Sequence, residues 1–189
     1  TGSFLKKLME PGADPSKMSF FMPDHNGPCR FGQYNQFQRI LFDRLGFRGA
    51  ELVTPSNDTA YADLAGDRSR KFRINAWKGF VSFDYIRKLY REIRPYELNK
   101  GDTEEVYNAA LKKVESCIEN NSRGLRRLLV EIAGEFMAVK ADRSRRRPVV
   151  AVLGEIYMRD NAGCNGNIAN RLENLGAEVV IGPFSEWIT

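Results

Sequence analysis

Pro148-Val149-Val150-Ala151-Val152-Leu153-Gly154 is an apolar, β-branched run ended by a glycine. Such a run reads as a strand of the kind buried on both faces of a parallel sheet. A loop over Glu155–Gly163 leads into a helix over about Asn165–Leu175, which Gly176 ends before a second strand at Glu178–Ile181. Strand, helix and strand joined by the tight Leu175-Gly176-Ala177 turn make a βαβ unit. Pro183–Ile188 begins a further element where the sequence stops, as expected for a piece of a longer protein.

The rest of the chain is read outward from that unit. Residues 61–140 are helical almost throughout, with breaks at Gly66, near Pro95 and at Asn120–Ser122. Three apolar stripes recur at helical spacing: Ile74/Trp77/Val81/Tyr85/Leu89/Ile93, Val106/Ala110/Val114/Cys117/Ile118 and Leu125/Leu128/Leu129/Ile132/Phe136. Nearer the start, a short helix within residues 4–17 precedes a strand at Met18–Met22. A helix follows from about Pro28 to Leu45, its stripe formed by Phe31, Tyr34, Phe37, Leu41 and Leu45. Pro28 suits its first turn and Gly46 its end. Glu51–Thr54 is a further strand. The expected fold is therefore α/β: one domain over 1–189 with a Rossmann-like open parallel sheet of about four strands. A helical lobe over about 61–140 is inserted between strands two and three.

Composition excludes several classes. At 42% hydrophobic and 28% charged, with no low-complexity tract, the chain is of ordinary globular type. No apolar run approaches the ~20 residues that span a bilayer, and the start lacks the apolar stretch of a secretory signal. No membrane partner is expected. Three cysteines, odd in number and widely spaced, do not make a disulfide framework and point to a reducing cytoplasm.

The net charge is +5 with a pI near 9.2. The excess is concentrated at Lys140, Arg143, Arg145, Arg146 and Arg147, and again at Arg68, Arg70, Lys71 and Arg73. Neither cluster is interleaved with aromatics, and no nucleic-acid motif is present, so nucleic acid is not an expected partner. The clusters read as solvated loop charge, with an acidic partner surface or a phosphate-bearing ligand as the alternative.

The segment richest in chemistry is Gly27-Pro28-Cys29-Arg30-Phe31-Gly32-Gln33-Tyr34, between the first strand and the helix. A thiol at a helix N-terminus faces unpaired N–H groups and the positive end of the helix dipole, which favour thiolate. Arg30 adds to the same field. Cys164 occupies the corresponding loop of the βαβ unit. In an open parallel sheet such loops lie at one edge, so Cys29 and Cys164 are candidate metal ligands that can converge, with Glu155 a candidate acid/base beside them. Cys117 lies on an apolar stripe and reads as core. His25, the only histidine, reads as an exposed loop residue. Arg94, before the helix-ending Pro95, reads either as a structural corner with an Arg–Glu pair or as a positioned catalytic arginine.

Several motifs taken together resemble one family. Gly27–Tyr34 is followed by Ala76-Trp77-Lys78-Gly79, Arg94-Pro95-Tyr96-Glu97 and Lys100-Gly101-Asp102-Thr103. Then come Gly154-Glu155-Ile156-Tyr157 with Arg159, Asn165, and Leu172-Glu173 with Leu175-Gly176-Ala177-Glu178-Val179. Over about residues 18–188 the chain resembles the acyl-CoA dehydratase activase-related proteins, which are similar to subunits of 2-hydroxyacyl-CoA dehydratases and benzoyl-CoA reductases. The resemblance implies a Rossmann-like domain of a multidomain, iron–sulfur-linked system acting on acyl-CoA-type substrates. It implies a [4Fe–4S] cluster in the intact protein, with Cys29 at the family-typical position and no complete cluster in this chain. Arg30 and Asn165 are the implied cofactor-binding residues. The implied partners are other domains of the same polypeptide or a dehydratase-type subunit. The chain lacks the phosphate-binding glycine loop of the ATP-binding module, so ATPase activity is not implied. The alternative is a protein–protein docking module with a structural cysteine.

Overall fold

A computed structural model describes every residue except Pro28, Asn57, Ala60, Ile188 and Thr189. The chain is a mixed, mostly helical α/β protein that divides into two compact units, Thr1–Arg73 and Ile74–Thr189.

The first unit contains α1 (Gly2–Leu8), β1 (Ser19–Phe21), α2 (Tyr34–Arg44), β2 (Glu51–Val53) and α3 (Ala62–Ala65). β1 and β2 pair in parallel, with Ser19 opposite Glu51 and Phe21 opposite Val53. Phe20 points into a small core with Leu8, Phe42 and Ala50. Its ring lies 4.7 Å from that of Phe4 and 5.5 Å from that of Phe42.

The helix expected from residue 28 differs in two respects. A 3-10 turn over Arg30–Gln33 precedes α2, and Pro28 lies outside the described residues. The buried face of α2 is Asn35, Gln38 and Phe42, while Phe37 and Leu45 of the expected stripe are about half exposed. Phe42 is the aromatic that meets Phe20, and turning it inward carries the neighbouring stripe outward.

The second unit is built on α4 (Ser69–Ile93, beginning in the first unit), α5 (Asp102–Glu119) and α6 (Leu125–Ala138). Ile86, Tyr90, Ile93, Ala110, Val114, Ile132 and Phe136 form its core, with Leu125, Leu128 and Leu129 packed against it. The expected breaks and the stripes of α5 and α6 are present, except that Cys117, read as core, is half-buried outside it and donates to the Arg123 carbonyl. The stripe of α4 holds only at its end, where Ile93 is in the core and Leu89 packs against it. Val81 and Tyr85 face outward, and Ser82, Asp84, Ile86, Arg87, Tyr90 and Ile93 are buried.

After α6 come β3 (Val149–Val152), α7 (Ile156–Asp160), α8 (Ala162–Asn165), α9 (Ile168–Asn174) and β4 (Glu178–Ile181). β3 and β4 pair in parallel, with Val150 opposite Val179. The expected βαβ unit is there, but its loop over 155–163 is largely helical. β3 is not buried on both faces: Val149 is 63% exposed, and its residues alternate between exposed and half-buried. Successive side chains point to opposite faces of a strand, so the alternation means that one face of β3 is partly covered and the other meets solvent.

Among the described residues the strands form two parallel pairs, not one hydrogen-bonded sheet of four. No helix among them is long and apolar enough to cross a membrane.

Candidate functional site

In the first unit, the segments leaving β1 and β2 run side by side at the carboxyl end of the pair. The amide of Asp24 donates to the carbonyl of Pro55 at 2.9 Å, Asp24 bridges Ser56, and Asn26 donates to Asp58. The two glycines of the Gly27–Tyr34 segment are explained by His25. A Cβ on Gly27 would lie 2.0 Å from His25 Nε2, and one on Gly32 would lie 1.8 Å from the His25 carbonyl oxygen. The second obstacle is backbone and cannot swing aside, so residue 32 must be glycine for this loop to close. His25 is thus half-buried within the motif, not an exposed loop residue as expected. Its amide donates to Asp24 Oδ1 at 2.8 Å.

Cys29 is an exposed free thiol on extended backbone, and its carbonyl accepts from the amide of Gly32. Arg30 is exposed in the following 3-10 turn. Cys29 thus stands at the start of a 3-10 turn that runs directly into α2 at Tyr34, in place of one α-helix over 28–45.

In the second unit, Glu155 caps α7, accepting from the amide of Met158 at 2.9 Å. Cys164 is an exposed free thiol in α8, whose first turn is capped by Asn161. Tyr157 lies beside it, and its hydroxyl is raised above the ordinary phenol range, chiefly by charge interaction with Cys164. Both polar ends of Asn165 are engaged locally: Nδ2 donates to the Arg159 carbonyl at 2.8 Å, and Oδ1 accepts from the Ile168 amide at 3.3 Å. Glu155, Cys164 and Asn165 thus share one helical segment at the carboxyl end of β3. Cys29 belongs to the other unit.

Arg94 donates to Glu173 and to Asn170 Oδ1. Arg91 reaches the same two residues at 2.7 and 2.9 Å, so one buried carboxylate lies between two guanidiniums. The rest of the Arg94-Pro95-Tyr96-Glu97 motif is equally occupied. Tyr96 donates to Glu178 Oε2 at 2.8 Å. Glu97 accepts from the amides of Gly101 and Thr103 at the start of α5.

Burial is the largest influence on Glu97 and works against its charge. Hydrogen bonds from Thr103 and Gly101, with the Arg94 guanidinium, outweigh it and hold the carboxyl below the usual range. A folded-state pKa below the unfolded one stabilises above the unfolded value, and that contribution is lost as pH falls through the folded one. Glu97→Gln should therefore reduce the loss of stability on acidification through that window, and at neutral pH should cost about 1 kcal/mol as a weakened cap. Urea unfolding of both forms at neutral and acid pH measures this. Parallel acid profiles would refute it.

The sequence reading missed a buried polar cluster centred on Asp84 and Arg87. Asp84 Oδ1 accepts from Arg87 at 3.0 Å and from the Phe184 amide at 3.0 Å, and Oδ2 accepts from the Ser185 amide at 2.7 Å. Arg87 also pairs with Asp160 and donates to the Gly182 carbonyl at 3.2 Å, while Arg159 donates to that of Pro183. The segment leaving β4 is therefore tied to α4 by charge-assisted bonds. The available signal was spacing: Arg87, Arg91 and Arg94 recur at four and three residues on the face that carries Tyr90 and Ile93. Every ion in this cluster has a partner, so it holds structure and offers no free nucleophile.

Fold and site together define an α/β protein of two units, each carrying one exposed thiol at the carboxyl end of a parallel strand pair. Comparison with protein families, curated proteins and solved structures returned no match.

Proposed function

We propose that the chain is a domain of an activase-related, dehydratase-like protein that takes part in iron–sulfur-linked acyl-CoA chemistry in the cytoplasm, with Cys29 supplying one cluster ligand. The observation that carries this reading is the exposed Cys29 thiol, in a segment after β1 whose Gly27 and Gly32 are closed against His25. The ordered motifs from Gly27 to Val179 support it.

The donor set does not fit a whole cluster. A [4Fe–4S] centre takes four protein ligands, or three with an open site, and among the described residues no group of three His, Cys, Asp or Glu side chains can hold a metal ion. The remaining ligands belong to other domains of the polypeptide or to a dehydratase-type subunit, and the chain is not a complete catalyst. A Rossmann-like sheet of about four strands is part of the same proposal, supported by the parallel direction of both strand pairs.

The test is anaerobic reconstitution of the full-length protein with iron and sulfide, read by visible absorption and EPR. Cys29→Ala should abolish or markedly weaken the cluster signal. A signal equal to wild type would sink the proposal.

The second reading is a docking module with a structural cysteine. Val130 and Met137 favour it, exposed by about two thirds and two turns apart on one face of α6. It predicts partner binding that survives Cys29→Ser.

A further inference from the structure

The geometry points to Lys140–Arg147 as a docking surface for an acidic stretch of another polypeptide, and this stands whether or not Cys29 holds metal. Lys140, Arg143, Arg145, Arg146 and Arg147 occur within eight residues, and among the described residues none of them has an ion-pair partner. The one acid in the segment, Asp142, is turned onto its own loop, where it accepts from the Ser144 amide at 2.9 Å. The positive charge is therefore left open.

It is also held in place. The Lys140 carbonyl accepts from the Leu98 amide at 2.9 Å, Ala141 bridges Glu97, and the Asp142 amide donates to the Tyr96 carbonyl at 2.8 Å. At the far end the Arg147 amide donates to the Tyr96 hydroxyl at 3.3 Å. The guanidiniums of Arg143 and Arg147 each lie 5.6 Å from the centre of the Tyr96 ring. A segment already ordered loses less entropy when a partner binds than a free arginine tail would.

Two observations favour an acidic polypeptide over nucleic acid. Tyr96 is buried, and two arginines already neighbour its ring, so it offers no platform for base stacking. Across the rest of the unit acidic side chains outnumber basic ones, which opposes a long polyanion but not a short acidic epitope.

The test is fluorescence anisotropy of the full chain with a labelled oligo-glutamate peptide over a salt series. Binding should weaken as salt rises. Arg143→Gln/Arg145→Gln/Arg146→Gln should lower affinity about tenfold. The same number of changes at Arg68, Arg70 and Lys71 should alter it less than about twofold. Equal losses in the two triple variants would overturn the proposal. So would a duplex DNA probe bound more tightly than the peptide at the same salt.

Discussion

Asp84→Ala is expected to destabilise the second unit by about 3–5 kcal/mol, the range for removing one partner from a buried ion pair. The Asp84 side chain is only 6% exposed and answers three donors: the Arg87 guanidinium and the amides of Phe184 and Ser185. Alanine leaves a buried cation with less compensation and two amides without their acceptor. The loss should be local as well as global. Amide hydrogen exchange at Phe184 and Ser185 should accelerate more than exchange in α5, which the carboxylate does not touch. Asp84→Asn keeps an acceptor but loses the charge, so it should fall between wild type and alanine. Urea unfolding with site-resolved exchange gives both quantities. An alanine variant within about 0.5 kcal/mol of wild type, in the range of an ordinary surface substitution, would show that the cluster contributes nothing to folding.

Glu173→Ala should be of similar size, about 3–5 kcal/mol, for the same reason with the signs exchanged. The Glu173 side chain is 4% exposed, and its two oxygens serve Arg91, 17% exposed, and Arg94, 24% exposed. Removing it leaves two partly buried guanidiniums facing each other. Burial already disfavours the charge on Arg91. Replacing the whole trio is a different matter, because apolar residues of similar volume are often neutral or stabilising where an ion network stood. Arg91→Met/Arg94→Met/Glu173→Leu should therefore recover most of the stability lost in Glu173→Ala. If the triple variant is the less stable of the two, the network contributes through its hydrogen bonds to Asn170 more than through charge balance. Thermal or urea unfolding of the three proteins separates the cases.

Much of the architecture was legible in the residues. The stripes of α5 and α6, the breaks at Gly66, Pro95 and Asn120–Ser122 and the β4 span Glu178–Ile181 all follow from period and punctuation. Two stripes misled in part, those of α2 and α4. Each helix carries apolar residues on more than one face, and periodicity does not choose between faces when both can be buried. On α4 the choice fell to Asp84 and Arg87, which are buried, and to the partly buried Arg91, because partners arrive from residues 160–185.

The candidate site was legible in part. Glycines near Cys29 marked a tight loop, but that His25 is what they make room for shows only in the folded chain. Glu155 and Asn165 stood out because they border a strand end. Their local hydrogen bonds, invisible in a string of letters, engage them as a cap and a turn brace.

By itself the sequence determined most of the local elements and their order: the long helices and their breaks, that strands return after residue 148, and where unpaired charge and thiols collect. These are nearest-neighbour properties, set by backbone preference and by spacing within a few residues. Tertiary structure alone decided which face of α4 goes inward, that the strands form two parallel pairs, and which carboxylate answers which arginine. Those depend on groups up to about one hundred residues apart, such as Asp84 with Phe184 and Ser185. Only folding brings such groups together, and a buried charge is tolerated only where its partner has already been placed.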